Sequence, residues 1–254
     1  MTERLGIGLQ NRERRFESAR YLKETSEIAL IAKLSEVFFF SHLRYLCKKK
    51  IRMTAKAVVR SMRLRTLPLS TAGVVLGIML ACADYTVPWY TIVLIILTTI
   101  SLQILSNMSN ELGDWLSGVD SDKREGPVYS LGEGGLTTDQ MRSCIRIMML
   151  VCCILGLGMI RASFGTVFRI ESQILIILGG FAIWAAMNYT LGNRPYGYKG
   201  LGDLFVFIFF GLVSVMGSYF VASHSFNWSI LMPGTAIGFF SVGVLNVNNI
   251  RDME

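Results

Sequence analysis

Six polar residues capable of chemistry stand close together at the end of a long apolar run: Asn107, Asn110, Glu111, Asp114, Asp120 and Asp122. At about 100° per residue, Asn107, Asn110, Glu111 and Asp114 fall within one sector of roughly 100° on a helix. Ionisable groups at membrane depth are costly, and they face a cavity or a partner. An ordinary solvated helix end would account for Asp120 and Asp122, but poorly for four polar groups on one face. Gly118 can end or bend the helix and let Asp120 turn back toward the cluster.

A second polar set closes the chain: Asn246, Asn248, Asn249, Arg251 and Asp252. Asn248 and Asp252 are spaced i, i+4 and share a helix face, with Asn249 one step round. Two Asn/Asp clusters facing each other across a helical bundle suit a hard divalent cation. Mg²⁺ takes one or two carboxylates, keeps waters and completes its shell with substrate phosphates. This predicts a phosphorylated, membrane-soluble substrate. The loop from Arg194 to Asp203 holds Tyr196, Tyr198 and Lys199 among glycines, and its Lys199 suits a phosphate contact. Without the acidic clusters it would read as a plain interhelical turn. The five cysteines show no CxxC or Cys/His ligand spacing, and the two histidines are too far apart to suggest a metal site.

The elements that must carry these residues are membrane helices. Hydrophobic residues make up 52% of the chain and charged ones 17%, with a mean hydropathy of +0.47. Soluble domains carry about a quarter charged residues, so an ordinary soluble enzyme is excluded. The net charge of +7 does not mark a nucleic-acid binder, because residues 1–52 hold 12 Lys/Arg against 6 Asp/Glu while the remainder is nearly neutral. Apolar runs at 67–83, 85–110, 147–160 and 172–193, and a longer one at 204–250 broken by 223–229 and Pro233, predict six spans. Arg146 and Arg161 bound the short third run and can snorkel to the interfaces. Positive charge collects before the first span and after the second, fourth and sixth. The positive-inside rule thus places the N-terminus, the even-numbered loops and the polar clusters at the cytoplasmic face of the cell inner membrane. Residues 1–52 read as a basic N-terminal extension outside the functional unit, with Met53 as the natural start. An amphipathic helix over 28–47 on an anionic surface is the alternative. An ion-coupled carrier would also use intramembrane carboxylates, but no paired Gly/Pro-broken helices occur in corresponding halves.

Several stretches, taken in order, resemble the UbiA superfamily of membrane polyprenyl aromatic prenyltransferases, and within it the branch acting on 1,4-dihydroxy-2-naphthoate. They are the segment Arg63 to Pro68, Asn110 to Asp114 through Gly118 to Asp120, Arg124 to Pro127, Arg194 to Asp203 with Phe209 to Gly211, and Leu245 to Asp252. The resemblance covers residue 60 to the C-terminus. It implies an all-α transmembrane bundle in which two Asp-rich motifs hold Mg²⁺ on a polyprenyl diphosphate. By position, Asn110, Glu111, Asp114 and Asp120 are the metal residues of the first motif, and Asn249 and Asp252 those of the second. Asp114, Lys199 and Asp252 are implied as catalytic. Arg65, Asn107, Arg124, Tyr196, Tyr198, Lys199, Asp203 and Asn248 are implied as substrate-binding. The implied reaction transfers the polyprenyl group to the naphthoate with decarboxylation, giving a demethylmenaquinol. A 4-hydroxybenzoate-like acceptor, or a non-catalytic remnant, are the alternatives. The chain departs from the family pattern at Glu111, where Asp is usual, and at Gly132, where Gln is common. Six spans instead of about nine, and an end at Glu254 before a further expected Asp, predict a C-terminally truncated form of the domain 53–254.

Overall fold

The computed structural model describes residues 55–118, 130–131, 135–192 and 195–251. They belong to one compact unit, residues 52–254. The expected extension at 1–52, together with Asp120, Asp122, Arg124, Gly132 and Asp252, lies outside the described residues.

The chain forms α1 (Ala55–Ser61), a 3₁₀ turn (Leu64–Thr66), α2 (Leu67–Asp84), α3 (Trp89–Ser117), α4 (Thr138–Phe164) and α5 (Ile170–Asn188). A second 3₁₀ turn (Gly197–Lys199) leads into α6 (Gly202–Ser223), and a third (Trp228–Ile230) into α7 (Leu231–Arg251). Six helical stretches are long and apolar enough to cross a membrane, and no strand occurs among the described residues. The protein is therefore an all-α, multi-pass membrane bundle. Helices satisfy every backbone group within the segment, which hydrocarbon requires.

The ends of the helices follow local chemistry more than apolar content. α4 runs well beyond the apolar stretch 147–160 because a capping box starts it: Thr137 Oγ1 accepts from the Gln140 amide at 3.3 Å, and the Thr137 amide donates to Gln140 Oε1 at 2.9 Å. Gly165, at φ 75°, ends it. α3 continues about two turns past the apolar run and stops at Gly118, whose φ of 74° favours glycine.

α3 is the central column, packed against α2, α4, α5 and α6, while α6 packs against α2 and α7. Two buried clusters hold it. Leu105, Met108 and Leu112 meet Met141, Ile145 and Ala57 at one end. Val74, Ile78, Ala81, Ile95, Val215 and Tyr219 pack at the other. Lipid is as apolar as these side chains, so close packing and not water expulsion supplies the adhesion. The middle of α6, Phe207–Gly217, is wound as a π-helix, and there it comes close to α7. A Cβ on Gly211 would lie 2.7 Å from the Gly234 carbonyl oxygen and 2.8 Å from the Gly238 amide nitrogen. Only glycine allows that approach.

Candidate functional site

Between the two clusters lies a cavity of about 1930 Å³, lined by every long helix. Cavities for drug-sized ligands are about 300–1000 Å³, so this one suits a larger, lipid-like molecule. It reaches from Asp114 to Ile95 along α3, nineteen residues apart. At about 1.5 Å per residue that is about 28 Å, close to the thickness of a bilayer's hydrocarbon core. Its middle is apolar in effect. The hydroxyls that line it are turned to their own helix backbone: Thr98 donates to Leu94 O at 2.7 Å, Ser70 to Leu67 O at 2.9 Å, and Ser241 to Ile237 O at 2.8 Å.

One end of the cavity is polar. Asn110 and Asp114 of α3 line it, with Ser106 and Gln103 one and two turns earlier; Asn248 and Asn249 line it from the end of α7. Arg60, Arg63 and Arg65 reach it from the α1–α2 corner, and Tyr189, Tyr196 and Gly197 from the end of α5. The two amide-rich stretches, 134 residues apart from Asp114 to Asn248, thus border one space.

The four polar residues expected on a single face of α3 divide into two stripes. Asn110 and Asp114 border the cavity. Thr190 Oγ1 lies 3.3 Å from Asn110 Oδ1 and 3.1 Å from the Ser109 carbonyl, fixing α3 to the end of α5. Gly113 makes this possible, since a Cβ there would fall 2.7 Å from the Thr190 carbonyl carbon. Asn107 and Glu111 belong to the other stripe and are buried away from the cavity at 4% and 1% exposure. Asn107 Nδ2 donates to Met62 O at 2.8 Å and to Thr66 Oγ1 at 2.9 Å. Glu111 Oε1 accepts the Leu131 amide at 3.1 Å, beside Ser130, whose hydroxyl donates to Ala57 O at 2.6 Å. The shared face is a correction to the helical-wheel expectation. A 100° sector is wide enough to straddle two neighbours, and here it spans the cavity on one side and the packed corner on the other.

The remaining expected residues are placed as follows. Arg65 borders the cavity. Lys199 is exposed in the Gly197–Lys199 turn and Asp203 is exposed in the first turn of α6, where a carboxylate meets the positive end of the helix. Neither borders the cavity. Tyr198 lies in the same turn, its side chain outside the described ones. Tyr196 does border the cavity, but its hydroxyl donates to Ala185 O at 2.7 Å. What it offers the cavity is a ring, stacked on Phe205 at 4.0 Å between centroids. Phe209 extends the wall, 6.2 Å from Phe205. Burial holds the Tyr196 hydroxyl well above the ordinary tyrosine range, with Tyr189 adding to the effect. Tyr189 is raised too, first by burial and then by the charges of Asp114 and Asp203. Both phenols are neutral at physiological pH.

Sequence reasoning missed Gln103, Ser106, Tyr189, Thr190 and Phe205, counted Arg60 only among the charges before the first span, and named Arg63 and Phe209 within resembling stretches but not as site residues. The i, i+4 and i, i+7 spacing of Ser106, Asn110 and Gln103 along the Asp114 stripe carried a signal. Nothing local marked Thr190.

Among the described residues no group of three or more His, Cys, Asp or Glu could hold a metal. The polar end instead offers amide oxygens and one carboxylate, all hard donors, with neither imidazole nor thiolate among them. That set fits Mg²⁺, which binds through few protein oxygens and takes the rest from water and phosphate.

The model of the UbiA prenyltransferase family matches residues 70–254. The chain is 38% identical over 199 residues to the 1,4-dihydroxy-2-naphthoate octaprenyltransferase of Escherichia coli (strain K12), covering 78% of this chain and 64% of that protein. It is 36% identical over 211 residues to the protein of the same name from Haemophilus influenzae, covering 82% and 67%. With the one from Mycobacterium tuberculosis it shares 33% over 195 residues, covering 77% and 64%. The chain spans about two thirds of the length of these relatives. No solved structure gives a significant match.

Proposed function

As the chain belongs to the UbiA prenyltransferase family, we propose that it transfers a polyprenyl group from a polyprenyl diphosphate to 1,4-dihydroxy-2-naphthoate, with loss of CO₂. The observation that carries this reading is a single cavity, about 28 Å long in all, that is oxygen-rich and cationic at one end and apolar toward the other. A diphosphate with a long isoprenoid tail has the same polarity profile.

Asn110 and Asp114 from α3, and Asn249 beside Asn248 from α7, would hold Mg²⁺ together with Asp120 and Asp252. When bound, Mg²⁺ neutralises diphosphate charge and acts as a Lewis acid on the leaving group. Arg60, Arg63 and Arg65, which border the polar end, stabilise the same charge; Arg124 and Lys199 stay cationic candidates through the family resemblance alone. The C–O bond to the allylic carbon breaks and its electron pair leaves with the diphosphate. The rings of Tyr196, Phe205 and Phe209 face the cavity where the allylic cation forms, and steady it by cation–π contact. The electron-rich naphthoate ring attacks the cation, and departure of its carboxylate as CO₂ restores aromaticity. The apolar walls of the chamber would limit capture of the cation by water.

Glu111 and Asn107 enter this reading as framework. The unit 53–254 carries the reaction, and the positive loops orient the polar end to the cytoplasmic face of the inner membrane.

The test is a membrane assay with radiolabelled polyprenyl diphosphate. Membranes containing the 254-residue chain should form lipid-soluble labelled product with 1,4-dihydroxy-2-naphthoate. Product should vanish on EDTA treatment and return with Mg²⁺. Labelling that requires 4-hydroxybenzoate instead would move the acceptor, and labelling with neither acceptor would overturn the proposal.

A further inference from the structure

The amide of Asn107 was expected at the substrate, yet its three hydrogen bonds all lead elsewhere. Its Nδ2 donates to Met62 O at 2.8 Å and to Thr66 Oγ1 at 2.9 Å, and its Oδ1 accepts from Gln103 Nε2 at 3.0 Å. Thr66 in turn donates its hydroxyl to the Arg63 carbonyl at 3.0 Å. Between Met62 and Thr66 the backbone turns sharply: Arg63 has φ 48° and ψ 55°, a left-handed conformation that a residue with a Cβ adopts only when its surroundings impose it. The clamp grips both sides of that residue, at the carbonyl before it and at the hydroxyl three residues after it.

The consequence lies in what the corner carries. Arg60, Arg63 and Arg65 all border the polar end of the cavity. A regular helix through 60–66 would spread residues 60, 63 and 65 over much of a turn. The left-handed step replaces that course with a tight corner between α1 and α2, and the α3 amide is what holds it.

We propose that Asn107, backed by Gln103 and acting through Thr66, is a positioning residue that fixes the arginine-bearing α1–α2 corner over the anionic end of the substrate site. It touches neither substrate nor cation. The proposal rests on the reading that a diphosphate binds at this end, and it adds the device that sets the geometry of its arginines. The effect reaches the substrate through three guanidinium groups at once, because a corner free to leave the left-handed conformation displaces them together. Thr66→Ser keeps an oxygen that can accept from Asn107 and donate to Arg63, so it should preserve the clamp. Thr66→Ala should not.

The experiment uses the full chain purified in detergent, with two readouts: equilibrium binding of inorganic pyrophosphate in Mg²⁺, and the KM and kcat of prenyl transfer. Asn107→Ala and Thr66→Ala should each weaken pyrophosphate binding and raise the KM for polyprenyl diphosphate about tenfold, the net worth of one to two hydrogen bonds. The kcat should stay within about threefold, and half-saturation by Mg²⁺ should not move. Thr66→Ser should restore binding to within about twofold of the parent. The double variant Asn107→Ala/Thr66→Ala should be no weaker than either single one, since both break one clamp. Should Asn107→Ala fail to fold, the Thr66→Ala and Thr66→Ser pair carries the same comparison. Unchanged binding in Thr66→Ala would overturn the proposal, as would a shifted Mg²⁺ requirement with collapsed kcat in Asn107→Ala, which would make the amide a ligand. Pyrophosphate binding that depends on Asn107 and Thr66 without any prenyl transfer would keep the clamp and overturn the functional reading. A parent protein that neither binds pyrophosphate nor transfers would overturn both.

Discussion

Asn107 with Glu111, and Asn110 with Asp114, are two pairs of the same chemistry on the same two turns or so of α3, each an amide followed by a carboxylate four residues on. Their surroundings separate them. Asn110 and Asp114 border a large cavity together with three arginines and the amides of α7. Asn107 and Glu111 are spent on backbone groups of the α1–α2 corner and of Leu131. A buried carboxylate beside an amide proton is framework, and the carboxylate one stripe over borders the cavity. The lesson is that residue type and depth select candidates, while the neighbour opposite each stripe assigns the role.

The sharpest way to break this comparison is to remove each carboxylate in turn. Asp114→Ala should cost about 10²–10³-fold in prenyl transfer per folded molecule, the scale of losing one preorganised electrostatic group, and should lower the thermal midpoint in detergent less than Glu111→Ala does. Glu111→Ala should behave in the opposite way. It leaves the buried Leu131 amide without its acceptor and opens a void, a loss of about 2–4 kcal/mol read as a lowered midpoint of thermal unfolding. Its activity should fall only in proportion to folded protein. A Glu111→Ala protein of full stability but no activity would merge the two stripes.

Gly113 sits between the pairs and tests how closely α3 must approach α5. Gly113→Ala drives a Cβ into the Thr190 backbone and should cost about 1–3 kcal/mol in stability. Because Asn110 is fixed through Thr190, activity should drop about tenfold beyond the loss of folded protein. Retained activity would show that this contact does not align the site.

The smallest effect at neutral pH belongs to Tyr196→Phe. The cavity keeps its ring, and the hydrogen bond to Ala185 is lost, so stability should fall by about 1 kcal/mol and turnover should change less than about threefold. The pH dependence carries the sign. Burial raises the folded-state pKa of Tyr196 above that of the unfolded chain. Below about pH 10 both states hold the proton and the group adds no pH dependence; above it the unfolded chain ionises first and stability falls. Thermal melts from pH 8 to 11 should show a shallower alkaline decline for Tyr196→Phe than for the parent.

Much of the bundle is legible in the sequence, because hydrocarbon demands long apolar helices and the charges can only lie between them. The six expected spans correspond to six helical stretches long and apolar enough to cross a membrane. Their ends were less legible: the run at 147–160 understates α4, which Thr137 and Gln140 start about two and a half turns earlier through a capping box. The π-wound middle of α6 and the left-handed Arg63 left no mark in composition, since both are imposed by neighbours distant in sequence. Nor does apolarity separate core from lipid face. Leu105 and Met108 are buried whereas Ile177 and Phe240 are each 73% exposed, and in a membrane all four serve equally well. The site was legible as residue types and as two clusters bordering one space. The split of α3 into two stripes was not, because a wheel gives angles without saying what stands opposite them.

The central claim is that the Asn110–Asp114 stripe meets a cation and its phosphate ligand, and that the Asn107–Glu111 stripe does not. Binding of Mn²⁺ as a spectroscopic stand-in for Mg²⁺, followed by the loss of free-ion signal in electron paramagnetic resonance, tests it directly. In the presence of pyrophosphate the parent protein and Glu111→Gln should both take up Mn²⁺, and Asp114→Asn should lose that uptake. Uptake kept by Asp114→Asn and lost by Glu111→Gln would contradict the assignment.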